Sequence, residues 1–221
     1  MTEKTVTAEL AKQTAVSPLV EQYAGEFTKV LPAHIGQERY VRWCLTFLRR
    51  AAAGKQAEAW ARVLGNGAGQ LSIMHALMDC AALGLEPGRT YHLVPFGQEA
   101  TGMTDYKGEI ELIYRAGPFP VVAELVRETD TVELRPAANM PPAHAADWFG
   151  DRGEVIGGYA YCQLGPELYT QVVHMAEADF MHHRAKAKTD SVWAEWPEPM
   201  RLKTLVHQLR KYAPWSVEVR S

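Results

Sequence analysis

Histidines and carboxylates are the first residues to weigh, because hydrolysis or metal chemistry would have to rest on them. The eight histidines include the adjacent pair His182 and His183, with His174 eight residues before His182. Neighbouring residues on a helix point about 100° apart. That pair therefore cannot easily face one ion, and a metal site would need ligands brought in by the fold. Two surface or groove histidines are the simpler reading. Glu109 and Glu111 would offer a carboxylate dyad for hydrolysis or two-metal chemistry, but two residues apart on a helix they face nearly opposite sides. Asp147 and Asp151 would be better spaced on a helix, yet Gly150 and Gly153 argue for a loop there. The run Gly65-Asn66-Gly67-Ala68-Gly69 invites a phosphate cradle, which needs a strand before it, a helix after it and usually a Lys-Ser/Thr pair. A helical segment precedes it and Gln70-Leu71 follows, so it reads as a flexible connector. HExxH, CxxC, GxSxG and GxxxxGK[ST] are all missing. No catalytic residue, metal ligand or cofactor is assigned, and a non-enzymatic role is expected.

The elements that would position any site follow from pattern. A chain of 221 residues with a formal charge of -3 suggests one domain with at most a small appendage. No apolar run approaches the roughly 18 residues of a membrane span. The opening MTEKTVTAELAKQTAVS lacks the apolar stretch of a secretory signal. Cys44, Cys80 and Cys162 are widely separated and odd in number, which suits reduced thiols in the cytoplasm. Charge is unevenly placed: Glu38 to Arg62 carries six Lys/Arg against two Glu, a balance of +4. Glu99 to Glu154 balances at -6, and Met181 to the C-terminus at +4. A partner responds to the local field, so an acidic middle between basic segments is compatible with a basic groove.

Periodicity predicts a short helix over Leu19 to Val30, a strong one over Glu38 to Ala53 and another over Gln56 to Leu64. Ser72 reads as an N-cap, opening an apolar stripe of Leu71, Met74, Leu77, Met78, Ala81 and Leu85. Gly84 suits a left-handed C-terminal residue, and Pro87 stops continuation. Strands are predicted at Thr90 to Phe96 and Glu99 to Asp105, joined through Gly97. Tyr106 to Ala116 returns to helix, with Lys107, Glu111 and Arg115 sharing one face as ion pairs and Tyr106, Ile110, Ile113 and Tyr114 on the other. Strands follow at Pro120 to Arg127 and Thr131 to Arg135, then a loop over Asn139 to Trp148. Glu154 to Leu164 and Glu167 to Met175 flank the Gly165-Pro166 turn. Helices close the chain at Ala176 to Lys188 and Pro199 to Tyr212. Phe149 and Tyr161 are assigned to the core. This order indicates an α+β class with antiparallel hairpins.

Several blocks carry more than local structure. Leu31-Pro32-Ala33-His34 leads into ERYVRWCLTFLRR from Glu38, then SIMHALMDCAALGLEPG from Ser72, YHLVPFG from Tyr91 and YKGEIELIYRAG from Tyr106. DRGEVIGGYAYCQL from Asp151 and MRLKTLVHQLRKYAP from Met200 complete the series. In order and wording this resembles the RecT family of phage and prophage single-strand annealing recombinases, from about residue 31 to 215. That span would be the annealing core, with residues 1–30 a partly flexible N-terminal segment and 216–221 a short end.

The resemblance implies binding of single-stranded DNA, oligomerisation on it as a ring or helical filament, and pairing with a complementary strand without ATP. It implies a Rad52-like fold of antiparallel β-hairpins packed around a central helix, either Tyr106 to Ala116 or one of the C-terminal helices. Expected partners are single-stranded DNA, the annealed duplex intermediate and further copies of the chain. A phage exonuclease and the host single-strand binding protein are further partners, in the cytoplasm of a bacterial host and away from membranes. Family members often carry a longer C-terminal tail for partner proteins, and the glycine run is this sequence's own departure. Annealing needs free Watson–Crick edges, so grip would come from phosphate contacts and stacking, with strong salt dependence. The matching blocks nominate Lys107, Arg115, Arg201, Lys203, Arg210 and Lys211 as backbone contacts. Arg184, Lys186 and Lys188 fall in the basic segment between them. The bland alternative is a solvated face, or ion pairs with Glu109 and Glu111. Trp193, Trp196 and Tyr212 are candidates for base stacking or for core and interface packing. Two other classes compete: a metal-dependent nuclease using the acidic middle with His182 and His183, and an interaction module without DNA affinity.

Overall fold

The structure, a computed structural model, describes residues 18–135, 140–187 and 190–218. Two compact units divide the chain: one reaches Gly108 and takes back residues 217–218, and the other runs from Glu109 to Ser216.

The first unit is mainly helical. Residues 18–22 are helical, followed by α1 (Ala24–Val30), α2 (Gln37–Ala53), α3 (Ala57–Leu64) and α4 (Gly67–Ala82). The hairpin of β1 (Tyr91–Phe96) and β2 (Glu99–Thr104) completes it. In α2 the predicted spacing buries Tyr40, Cys44 and Leu48 on one face. The Tyr40 hydroxyl donates to the Leu77 carbonyl at 2.5 Å, tying α2 to α4. Burial pushes that hydroxyl far above its ordinary range and the Cys44 thiol up to about 12.

The glycine run is no flexible connector. Asn66 caps α4, its side chain accepting from the Gly69 N–H at 2.7 Å and donating to the Gln98 carbonyl at 3.1 Å. Gly67 to Gly69 form the first helical turn. Glycine is required at 69, where a Cβ would meet the Val63 carbonyl oxygen at 2.1 Å. Ser72, read as the cap, therefore lies inside the helix. Its hydroxyl donates to Gly69 O at 2.7 Å and accepts from the Ala100 N–H at 2.8 Å. Within the predicted stripe Met74, Leu77, Ala81 and Leu85 are buried, but Leu71 is exposed because on the helix it lies opposite the face of Ile73, Leu77 and Cys80. Gly84 does terminate α4 with φ of 62°, and the Leu85 N–H closes on the Cys80 carbonyl at 3.1 Å.

The division between units falls within α5 (Tyr106–Ala116), whose ends match those predicted. Its faces do not. Arg115 is buried and Tyr114 is half exposed, because Leu112, Ile113, Arg115 and Ala116 together turn inward.

The second unit contains β3 (Val121–Arg127), β4 (Thr131–Glu133), β5 (Ala143–Ala145), β6 (Val155–Gly165), β7 (Leu168–Tyr169) and β8 (Val173–Ala176). Helices α6 (Glu177–Ala185), α7 (Ser191–Glu195) and α8 (Pro197–Leu209) follow. The strand β6 is central, pairing antiparallel with β3 and β8 along its length and with β7 at its end. Helix α8 packs on β3, β6 and β8. Ile113, Leu125, Ala160, Cys162, Met175, Phe180, Trp193, Leu205 and Leu209 make the core between them. Mixed helix and antiparallel sheet is thus the observed class, as expected.

The main departures from the predicted elements lie in the second unit. The stretch expected as loop holds β5, paired with β4 from Thr131↔Ala145 to Glu133↔Ala143. It carries no apolar alternation and is held by His144, whose ring nitrogens lie 3.1 Å from Tyr159 and from Asp130. The strand expected over Glu167 to Met175 is split, because the Thr170 hydroxyl replaces a ladder partner by accepting from the Cys162 N–H at 2.9 Å. Helix α6 ends at Ala185 rather than Lys188. Helix α8 starts at Pro197, at the first helical turn where a missing N–H costs nothing, and the short α7 before it was not anticipated. Phe149, assigned to the core, is 102% exposed. Its apolarity predicted burial, but it sits at the tip of a tight turn.

Candidate nucleic-acid interface

The cations nominated from the sequence meet different fates. Arg184 is bound to Asp190 through two bonds, one of 2.6 Å, and Arg201 is bidentate on Glu177. Bidentate guanidinium–carboxylate pairs fix orientation as well as charge. Arg115 is buried against Glu111, and Lys203 is half-buried on α8. Lys107 belongs to the first unit, exposed, with its ammonium 5.9 Å from the Tyr106 ring centroid. Lys188 lies outside the described residues.

What remains gathers at the C-terminal ends of α6 and α8. Arg210 lies 3.4 Å from Glu109, and His207 Nδ1 lies 2.7 Å from the other oxygen of that carboxylate, off the line of a hydrogen bond. Glu109 is itself buried, and Arg210 supplies its countercharge. Lys211 is exposed and donates to Gln208 at 2.6 Å, and Lys186 is exposed at the end of α6. Two of these groups, Lys186 and Lys211, bear on the imidazole of His183. Burial first, then Lys186 and the neighbouring His182, hold it below its ordinary value; Asp179 opposes them, and Lys211 adds to the lowering. A residue from after α8 thus acts on a side chain of α6. Helix carbonyl ends favour such cations, and phosphate would favour them more.

Aromatic side chains divide just as sharply. Trp193 is 4% exposed and belongs to the core of the second unit, whereas Trp196 stands exposed at the start of α8. Tyr212 and Trp215 are each about half exposed just beyond α8, next to Arg210 and Lys211 in sequence. Trp215 was missed by sequence reading, and its one visible signal is its place immediately after the RKYAP block. Tyr161 is half-buried and stacks on Tyr159 with planes 12° apart.

A second basic region was visible only as a charge balance. In the first unit α2, α3 and the segment before β1 enclose a groove of about 780 Å³. Trp43, Phe47 and Trp60 form its apolar wall, and Arg42, Arg50, Lys55 and Arg89 stand around it. Arg89 is paired with Glu86 at 3.2 Å. Arg42, Arg50 and Lys55 form no ion pair with any described residue. The balance of +4 from Glu38 to Arg62 was the available signal.

Among the described residues no three His, Cys, Asp or Glu side chains converge as a metal site, and no helix is long and apolar enough to cross a membrane. A family model described as the RecT family matches residues 44–221, from within α2 onwards. The chain belongs to the RecT family. Protein RecT of Escherichia coli (strain K12) is similar to it, 28% identical over 209 residues that cover 88% of this chain and 72% of that relative. RecT membership makes this a DNA-binding recombination protein of the strand-annealing kind, in agreement with the six sequence blocks.

Proposed function

We propose that this RecT-family chain binds single-stranded DNA and anneals complementary strands without ATP, acting as an oligomer. The observation that carries the reading beyond family membership is the set of exposed groups at the ends of α6 and α8, Lys186 and Lys211, with Tyr212 and Trp215 half exposed beside the last cation. Cations hold a phosphate backbone while aromatic faces accept bases, and neither needs the Watson–Crick edges that a second strand must read. Lys186, Arg210 and Lys211 are the phosphate contacts in this reading, and Tyr212 and Trp215 the stacking faces. Arg184 and Arg201 serve to fix α6 and α8. The central helix of the annealing fold is then α8, on which the strands β3, β6 and β8 lie. No bond is made or broken by the protein; base pairing drives the reaction, and the protein raises the frequency of productive register. The duplex intermediate stays bound, and an exonuclease and a host single-strand binding protein would act before and beside it in the bacterial cytoplasm.

Mixing two complementary labelled oligonucleotides with the protein, without nucleotide, tests this. Duplex formation should exceed the protein-free rate, with intact strands and with the gain lost at high salt. No acceleration with folded protein overturns the annealing reading, and shortened strands in the presence of a divalent cation would put a nuclease in its place.

A further inference from the structure

The second unit presents an aromatic turn that its core, its sheet and the proposed nucleic-acid face all leave unused. Phe149 is 102% exposed and Trp148 beside it 54% exposed. Scattered exposed apolar residues are ordinary, but a wholly exposed Phe on a tight turn is unusual. The turn is held firmly. Asp147 accepts from the Phe149 N–H at 3.3 Å and the Gly150 N–H at 3.1 Å through one carboxylate oxygen. Beneath it Arg152 donates to both oxygens of Asp130 at 2.8 and 2.6 Å, and the Arg127 N–H adds a third bond at 2.8 Å. The Asp130 side chain has no solvent exposure, and the Arg152 guanidinium lies 4.6 Å from the Trp148 ring centroid. The backbone that carries the aromatic tip is therefore fixed before it meets anything, which removes part of the entropy cost of binding. It also carries a sign: Asp147 and Asp151 flank it, and the nearby cation Arg152 is already neutralised by Asp130.

The groove in the first unit has the opposite character. Its apolar wall is aromatic, with Phe47 and Trp60 meeting edge-to-face at 5.7 Å. Its rim holds Arg42, Arg50 and Lys55 without carboxylate partners among the described residues. A volume of about 780 Å³ accommodates the tip of a tight turn.

We propose that the turn carrying Phe149 seats in the groove between α2, α3 and β1 of a second copy of this chain. The ring would fill the Trp43–Phe47–Trp60 wall with arginine guanidinium groups over its face, while Asp147 and Asp151 meet Arg42 and Arg50. Affinity comes from the buried ring, and orientation and encounter rate from the charges. Because knob and groove are different surfaces, the contact is head-to-tail. An open assembly keeps one free knob at one end and one free groove at the other, so assembly continues until a ring closes, or runs on as a filament. The inference rests on the reading of the chain as an oligomer and names the surfaces that make it one.

The test uses the full chain, sized by analytical ultracentrifugation with and without a long single-stranded oligonucleotide, with circular dichroism as the check on folding. Phe149→Ala removes the knob, and Arg42→Glu with Arg50→Glu reverses the groove; all three side chains are exposed. Each variant alone should need roughly 30-fold more protein or greater to associate, as for loss of a central anchor. Mixed in equal amounts, they should form dimers and nothing larger, because one intact knob meets one intact groove. Variants that assemble like the parent, or a mixture that gives no dimers, would sink the proposal while leaving the oligomer standing. A groove variant that assembles normally but loses oligonucleotide affinity would reassign the groove to nucleic acid. A parent chain that stays monomeric under all conditions would remove the oligomer reading itself.

Discussion

Two stretches of this chain, Glu38 to Arg62 and Met181 to the C-terminus, carry the same charge balance of +4. The fold treats them differently. In the first, Arg42, Arg50 and Lys55 surround a groove with no carboxylate partner among the described residues. In the second, Arg184, Arg201 and Arg210 have already met Asp190, Glu177 and Glu109. A paired guanidinium must give up its carboxylate before it can gain from a phosphate, so it contributes less to grip than its formal charge suggests. Charge counted along a sequence is therefore an upper bound on charge available to a partner. Among the described residues of the second stretch, availability narrows to Lys186, Lys211 and the outer part of Arg210.

The largest expected effect separates the aromatic residues of the second region. Trp193→Ala should lower stability by about 3–5 kcal/mol in urea unfolding, because the core loses a buried ring. Tyr212→Ala should stay within about 0.5 kcal/mol of the parent yet weaken single-strand binding, at about 1–3 kcal/mol per stacked base. Equal stability losses in both would dissolve the distinction between core and interface drawn here.

The next effect separates free from paired cations. Lys186→Glu with Lys211→Glu should reduce the slope of log K against log salt by about 1.4, at roughly 0.7 per single-strand phosphate contact. Arg201→Gln should leave the slope alone and reduce stability by about 1–2 kcal/mol through its orphaned partner Glu177. Anisotropy across a salt series, with urea curves on the same proteins, distinguishes them. A slope change in the Arg201 variant would mean that its ion pair opens to DNA.

The smallest effect is in titration. His183 is held below its ordinary value of 6.5, by burial before the neighbouring cations. As pH falls the unfolded chain therefore takes this proton first. The stability from keeping His183 neutral is present above the ordinary value and declines below it, until the folded side chain protonates as well. Nuclear magnetic resonance titration should find the value raised by Lys211→Gln and raised further by bound single-stranded DNA. No movement in the Lys211 variant would show that this lysine is too far away to matter.

Sequence reading succeeded where a local signal carried the outcome. Gly84 stopped α4 through its own backbone freedom, and Asp105 and Gly117-Pro118 framed α5 to the residue. It failed where a distant partner decided. The Gly65 to Gly69 run became a helical turn because Asn66 reaches both Gly69 and Gln98. Ala143 to Ala145 became a strand because His144 is held by residues far along the chain. The candidate site shows the same split: basic segments and the RKYAP block were visible, but which cations find carboxylates depends on pairs such as Arg201 with Glu177, 24 positions apart. Phe149 inverted its rule altogether, since apolarity predicts burial and gives no sign of a presented tip.

The three cysteines have a consequence for how the two units can be followed. Cys44 and Cys80 are buried and free in the first unit and Cys162 in the second, with burial raising Cys44 to about 12 and Cys162 to about 11. A protonated, enclosed thiol is nearly inert to alkylating reagents until the packing around it opens. Each unit thus carries its own native clock. The alkylation rate of Cys44 and Cys80 measures opening of one unit, and that of Cys162 the other, in the unaltered chain and with oligonucleotide present or absent.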